Sequence, residues 1–452
     1  MDSSIARIAE YAHALEFRAL PADVVHECKR RVIDAVGCGL GAYHDVPSRV
    51  ARELAARAET PQGARVYGSK RRRLPELAAF ANGVMNRYLD GNDTYPGGGG
   101  HPSDTIAPVL AAADAVHASG ATAIAAIVLA YEVYHGFFQA ACMRDHGLDH
   151  VFYTAVASAV GAGKVLGLTR EQMTNAIALA VTSNIALHAT RRGNLSMWKG
   201  CAAGNAARNG VFAALMAAGG ITGPDHAIDG PHGLGELVKG FALEPFADGT
   251  ARPYRLTESN IKFFLSEYHS QAPITAALQL RPQLAVEDIA SVTINTYWFA
   301  WHEIGSEPEK WHPTNRETAD HSLPFIVAGV LIDGRFSDEL FSDARLQDQR
   351  IHQLADKIAV QEDPAFTKRF PAFIPCRMDI VLTDGTRKTA TLDYPRGHHK
   401  NPMTDDEVVA KFRELSARAL AADRADRLLD RLWALDTLAD TGELFDAMVF
   451  ES

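Results

Sequence analysis

The sequence predicts a mainly α-helical fold with a second, smaller α+β region, and three observations carry that reading. From residue 3 to about 265, apolar residues recur at spacings of three and four, in Ala-rich runs broken by Gly or Pro. After about residue 285 the spacing switches to alternation, the period of a strand. Beyond Thr404 the helical spacing returns. A chain of 452 residues also exceeds what one hydrophobic core usually organises, so two domains are expected.

The elements follow in order. Pro21 suits the first turn of a helix, and Val24, Val25, Cys28, Val32, Ile33, Val36 and Cys38 give it a broad apolar stripe. A helix begins near Pro75, after the run Lys70-Arg71-Arg72-Arg73, which reads as a solvated turn. Ser103 precedes another helix, with Ile106, Val109, Leu110, Ala113 and Val116 on one side. Further helices are expected at about 121–142, 153–166, 170–187 and 199–218, where alanine favours both helix and close packing. Ile289, Val292, Ile294 and Thr296 alternate as in a strand, and helical stretches follow at about 322–333 and 347–357. Met378–Leu382 and Thr386–Leu392 flank Asp384-Gly385, a favoured hairpin turn. Thr404 and Glu407 have the spacing of a capping box for a last helix through Phe412 and Leu415. There is no internal repeat and no low-complexity linker.

Composition narrows the function classes. The chain is 47% hydrophobic and carries a net charge of −10, which argues against nucleic-acid binding. Five cysteines at 28, 38, 142, 201 and 376 form no CxxC pair. That excludes a disulfide framework, fits a reducing cytoplasm and supplies no iron–sulfur cluster. The N-terminus reads as lacking a signal peptide, and apolar stretches such as Ala121–Tyr131 are too short to span a bilayer. A cytoplasmic protein with no membrane segment is expected.

The most informative segment runs from Tyr88 through Leu89-Asp90-Gly91-Asn92-Asp93-Thr94 and four glycines, 97 to 100, to His101-Pro102-Ser103-Asp104. Four glycines in a row are costly in conformational entropy, a cost explained if the backbone must approach a ligand or move. The competing reading is a flexible surface loop with capping acids. The glycines match neither a Walker sequence nor a dinucleotide fingerprint.

Leu-Asp-x-Asn-Asp-Thr followed by His-Pro-Ser-Asp resembles the signature of the MmgE/PrpD family. The resemblance extends, in order, through Gly147-Leu148-Asp149-His150, Gly163–Leu168, Lys199–Ala206, Ile261-Lys262-Phe263, His269-Ser270-Gln271 and Ala319–Pro324. It implies a large helical domain, residues 1–265 completed by 400–452, with an inserted α+β lid domain of residues 266–399 and a substrate cleft between them. It also implies a homodimer, a small carboxylic acid as substrate, no metal and no cofactor. By the same resemblance Asp90, Thr94, His101, His150, Lys199, Lys262 and His269 belong to the active site. Read alone, each lysine is more often solvated and each histidine more often a core residue. One position departs from the pattern: the family often has tyrosine after Leu-Pro, where this chain has Phe325, so a phenol is missing there and His321 is the nearest substitute.

The chemistry expected is loss of water from a tricarboxylate like 2-methylcitrate. That needs a base for a proton beside a carboxylate, an acid for the departing hydroxide and fixed cations for the developing charge. Asp90 or His150 is the expected base, His101 the acid, and Lys199 and Lys262 the anchors. Thr94, Arg191, Arg192, His269 and His321 are expected to bind substrate, the arginines through their planar forks. Epimerisation, isomerisation or decarboxylation could start from the same proton abstraction, and a helical scaffold without catalysis is the alternative of a different class.

Overall fold

A computed structural model describes residues 2–97, 100–250 and 252–450, so Gly98 and Gly99 of the glycine run lie outside the described residues. Helices dominate the first half: α1 (Ser3–Ala14), α2 (Ala22–Gly41), α3 (Val46–Ala55), α4 (Pro75–Tyr88), α5 (Ile106–Ala115), α6 (Gly120–Ala140), α7 (Val151–Val165), α8 (Arg170–Thr182) and α9 (Trp198–Ala218). Their apolar faces form one large core, which also takes in Val408, Phe412, Leu428 and Phe445 from the C-terminal helices α13 (Asp405–Ser416), α14 (Ala422–Trp433) and α15 (Gly442–Met448). Before them come α10 (Gln271–Leu280), α11 (Leu323–Asp333) and α12 (Gln349–Ala355).

A second core, from Ala272 to Ala390, packs α10, α11 and α12 on a four-stranded sheet. Its strands β3 (Ile289–Thr296), β4 (Ile358–Glu362), β5 (Cys376–Leu382) and β6 (Arg387–Leu392) follow the short pair β1 (Glu59–Arg65) and β2 (Arg72–Arg73). The sheet order is β4-β3-β5-β6, parallel between β3 and β4 and antiparallel elsewhere. The alternation read at Ile289, Val292 and Ile294 puts those side chains in the core. The β5–β6 hairpin turns at Asp384-Gly385 with Gly385 at φ +85°, as such a turn requires. The Thr404–Glu407 capping box is formed on both sides.

Several expectations need correction. Arg72 and Arg73 are not a solvated turn: they form β2 against β1, Arg73 is buried, and Arg72 donates to the carbonyls of Gly63 (2.7 Å) and Asp114 (2.9 Å). The strand β4 went unread because only Ile358 and Val360 are buried in it. The apolar stretch at Ala121–Tyr131 grows into α6, 21 residues, which is long and apolar enough to cross a membrane by length and composition, yet 78% of its most apolar window is buried inside the protein. It is a core helix, all but encased by its neighbours. Helix α8 ends at Thr182 rather than near 187, because Ala186 leaves the helix to accept the Asp149 N–H at 2.8 Å and Leu187 pairs with Leu148.

Helix α9 fits closely against α4, as its small residues suggest. A Cβ on Gly204 would stand 2.7 Å from Val84 Cγ2 and 2.8 Å from the carbonyl oxygen of Phe80. Gly204→Val should therefore destabilise the protein by about 1–3 kcal/mol through overpacking, read as a lower urea midpoint; an unchanged midpoint would show that the two helices can part without cost.

Candidate active site

Among the described residues of the segment after α4, Leu89 to Tyr95 and Gly100 to Thr105 are buried and knitted together. Asp90, three residues past Arg87, takes a positive φ of 53°, a conformation few residues other than glycine accept. Asp93 Oδ1 accepts the Ser103 N–H and its Oδ2 accepts the Tyr131 hydroxyl, both at 2.9 Å. Thr94 Oγ1 donates to the Gly100 carbonyl at 2.9 Å. Gly100 sits at φ +151°, and a Cβ there would lie 2.7 Å from the Tyr134 hydroxyl. These contacts bring His101 back beside Asp90.

Asp90 is the hub. Its Oδ1 accepts Arg87 Nη1 and Lys262 Nζ, each at 2.6 Å, while its Oδ2 lies 3.2 Å from Lys199 Nζ. Burial opposes the charge, but Arg87, Lys199 and Lys262 hold the carboxyl well below the usual range. Lys199 also spans Asp320, at 2.7 and 2.8 Å. Asp90, Asp320 and His321 could together hold a metal ion by their spacing, yet the Lys199 ammonium already stands between the two carboxylates. A metal would have to displace it, so these residues do not suit one.

The histidines around the hub are held neutral. His101 Nδ1 bonds the Asp93 carbonyl at 2.7 Å, which fixes the proton on that nitrogen, and Nε2 faces Arg87 Nη2 at 3.0 Å as an acceptor. Burial, Arg87 and Lys262 push its pKa well below the ordinary value. His150, at the start of α7, has Nδ1 2.7 Å from Asp149 Oδ1, and Asp149 Oδ2 accepts Arg191 Nε at 2.9 Å. Burial lowers His150 to about 4 in spite of Asp149. Among the described residues, neither ring nitrogen of His150 nor Arg191 Nη2 has a hydrogen-bond partner, although all three atoms are buried; the approach of Asp149 to Nδ1 is an electrostatic contact. Such orphaned groups are costly unless a ligand or water meets them.

These residues enclose a cavity of about 30 Å³, room for about two waters. Its wall includes Asp90, Thr94, His101, His150, Arg191, Lys262 and His321, so most of the predicted site comes together. Three expected residues stand elsewhere. Lys199 lies one layer back, behind Asp90. His269 is buried among Tyr297, Phe299 and Phe370, with Nδ1 on the Tyr297 hydroxyl. Arg192 is at the surface, 2.9 Å from Glu307, because the short helix His188–Arg191 turns only Arg191 inward.

The wall also holds residues that sequence reasoning passed over: Arg87, Arg144, Glu267, Tyr268 and Glu303. Arg144 Nη1 donates to Glu303 Oε1 at 3.0 Å. Tyr268 accepts the Asn260 amide at 2.9 Å and offers a phenol to the cavity, whereas Phe325 is fully buried in the second core. Thus the phenol absent at Phe325 is present on another segment. Glu267 and Tyr268 lie inside the recognised stretch from Ile261 to Gln271, and that position was the signal the sequence offered.

Family models match two regions of the chain: the MmgE/PrpD N-terminal domain at residues 6–242 and the MmgE/PrpD C-terminal domain at residues 264–435. The chain is 32% identical to a 2-methylcitrate dehydratase of Salmonella typhimurium over 95% of its length and 93% of that protein. It is 31% identical to the 2-methylcitrate dehydratase of Cupriavidus necator over the same shares, 95% and 93%. An alkylcitrate dehydratase of a fungal species is 28% identical over 91% of the chain and 87% of its own length.

The buried histidines make stability depend on pH in a definite direction. Burial lowers His101, His150, His269 and His321 in the folded protein, the second and fourth to about 4. The unfolded chain therefore binds their protons first, near pH 6.5, and stability falls as pH drops from there towards 4, by on the order of 1.4 kcal/mol per unit for each group. Asp90, depressed instead, contributes fully above pH 3.8 and loses that contribution progressively as pH falls below it. The buried acids Asp104, Glu132 and Glu267, raised to about 7, 7 and 8, act in the opposite direction over this window, so the histidine contribution is read by difference: the urea midpoint should fall less between pH 7 and 4.5 in His150→Gln than in wild type, and equal slopes would contradict the neutral buried state.

Proposed function

The chain belongs to the MmgE/PrpD family, and we propose that it is a hydro-lyase removing water from a tricarboxylic acid resembling 2-methylcitrate, by acid–base catalysis without metal or organic cofactor. The names of its relatives support the reaction class. The observation that carries the mechanism is the pair of orphaned atoms, an acceptor on His150 and a donor on Arg191, in one cation-rich cavity.

Each role follows from what its group has free. His150 Nε2 is the base: its lone pair is unused, and Asp149, fixed by Arg191, stabilises the imidazolium that forms. Asp90 is the poorer base because its oxygens are engaged by Arg87, Lys199 and Lys262 and its proton affinity is low. Arg87, Arg144, Arg191 and Lys262 bind the substrate carboxylates and stabilise the charge that builds beside the departing proton. Lys199 holds Asp90 and Asp320 in register. His101, expected as the acid, has its only ring N–H on the Asp93 carbonyl, so its better role is to aim Arg87.

The cavity as described is too small for a tricarboxylate. We read residues 266–399 as a lid over the helical unit, 1–265 with 400–452, whose opening admits substrate. The protein is proposed to work in the cytoplasm as a homodimer, for which the exposed Ile185, Leu187 and Trp198 along one groove offer an apolar face. Epimerisation or decarboxylation would begin with the same base.

Chelator-treated protein incubated with 2-methylcitrate, citrate and cis-aconitate should yield unsaturated product from 2-methylcitrate. Carbon dioxide from cis-aconitate would instead indicate a decarboxylase, and silence on all three from folded protein an epimerase or isomerase of another acid. His150→Gln should lower kcat by about 10²–10⁴ with an unchanged melting temperature, and retention of full activity would remove His150 from the mechanism. Sedimentation should give twice the 49.0 kDa chain mass; a monomer would refute the dimer.

A further inference from the structure

We propose that Glu267 is the general acid of this site, passing a proton from Oε1 to the departing hydroxyl. The proposal rests on the dehydratase reading above.

Its geometry is that of a donor held at one oxygen and open at the other. Glu267 sits on the loop that carries Lys262, just before α10, and it lines the cavity with His150, Asp90 and His321. Oε2 accepts the His269 backbone N–H at 2.6 Å. Among the described residues Oε1 has no hydrogen-bond partner, its nearest base being His269 Nε2 at 3.7 Å. The side chain keeps 13% exposure, where its neighbours Lys262, His269 and Asp90 keep 1–2%.

The other groups of the wall have their protons engaged or tightly held: burial and Glu267 keep the Tyr268 hydroxyl protonated far above its ordinary pKa. The ring protons of His101 and His321 are directed to the Asp93 carbonyl and to Asp320. Lys262 Nζ donates to both the carbonyl and Oδ1 of Asp90. The groups that face Glu267 are Lys262, Asp90, Glu303, His269, Tyr268 and Tyr297. Burial dominates, Lys262 opposes it and Asp90 and Glu303 add to it, so the carboxyl is pushed up to about 8 and is a carboxylic acid at neutral pH. His269, expected to touch substrate, is then a positioning residue for this acid.

The step balances. The C–H pair forms the new double bond as its proton moves to His150 Nε2, the C–O bond breaks, and the Glu267 proton joins the leaving hydroxide as water. Imidazolium and carboxylate then reset by exchange of one proton through solvent.

Glu267→Gln is compared with wild type on 2-methylcitrate and on the analogue bearing fluorine in place of the departing hydroxyl, since fluoride leaves without a proton. The expected result is a kcat loss of about 10²–10⁴ on the hydroxyl substrate, KM within a few-fold, and a much smaller loss on the fluoro analogue. Equal losses on both, or no loss, would overturn the role. Infrared difference spectra of wild type minus Glu267→Gln at pH 7 should show a protonated-carboxyl band, and its absence overturns the proposal without any assay. Should Glu267→Gln fail to fold, Glu267→Asp replaces it, with the alkaline limb of the wild-type kcat profile, near pH 8, expected to move; an unmoved limb is the contrary result. Wild type inactive on the hydroxyl substrate while the infrared band is present would sink the dehydratase reading itself, and the catalytic role with it.

Discussion

One carboxylate organises the centre of this protein. Asp90 gathers Arg87 from the end of α4, Lys199 from the start of α9 and Lys262 from the loop that leads to α10. Each of these cations is almost completely buried, and the aspartate compensates their charge where water cannot. Removing one member of such a cluster typically costs about 3–5 kcal/mol, because the remaining charges are left unpaired in a medium that solvates them poorly. The positive φ of Asp90 adds backbone strain at the same residue. Stability is thus spent where the chemistry is, and the apolar packing around α2, α6 and α7 offsets it.

Much of the fold was legible because it rests on local signals. The periodicity of α6, α7 and α9, the Asp-Gly turn and the Thr404–Glu407 box each depend on residues close in sequence. What escaped was decided by partners far away. Arg72 and Arg73 became a strand because β1 and Asp114 lie opposite them, and α8 stopped early because Asp149 needed an acceptor. No short window of sequence contains Asp114 together with Arg72, or Asp149 together with Ala186.

The site divides along the same line. Residue types and resemblance brought forward Asp90, His101, His150 and Lys262, which do meet around one cavity. They could not tell which atom of each was free. Only the contact with the Asp93 carbonyl shows that His101 has spent its proton, and only the turn at 188–191 separates the inward Arg191 from the outward Arg192. Glu267 and Tyr268 were hidden for a related reason: an acid next to a tyrosine is unremarkable until burial and a cavity give both a direction.

The placement of acid and base also bears on why this cavity is nearly closed. The base His150 belongs to the helical core through α7, whereas Glu267 stands on the segment that enters the second core, and Asp320 reaches back from that core to Lys199 on α9. The Lys199–Asp320 contact is therefore a latch between the two cores as well as part of the charge cluster. When it is made, the proton acceptor and the proton donor face one small, water-poor volume in which fixed cations act at full strength. Water loss needs both proton transfers, while exchange of a single proton needs only the base, so the elimination proposed for this site depends on residues of both cores being held together.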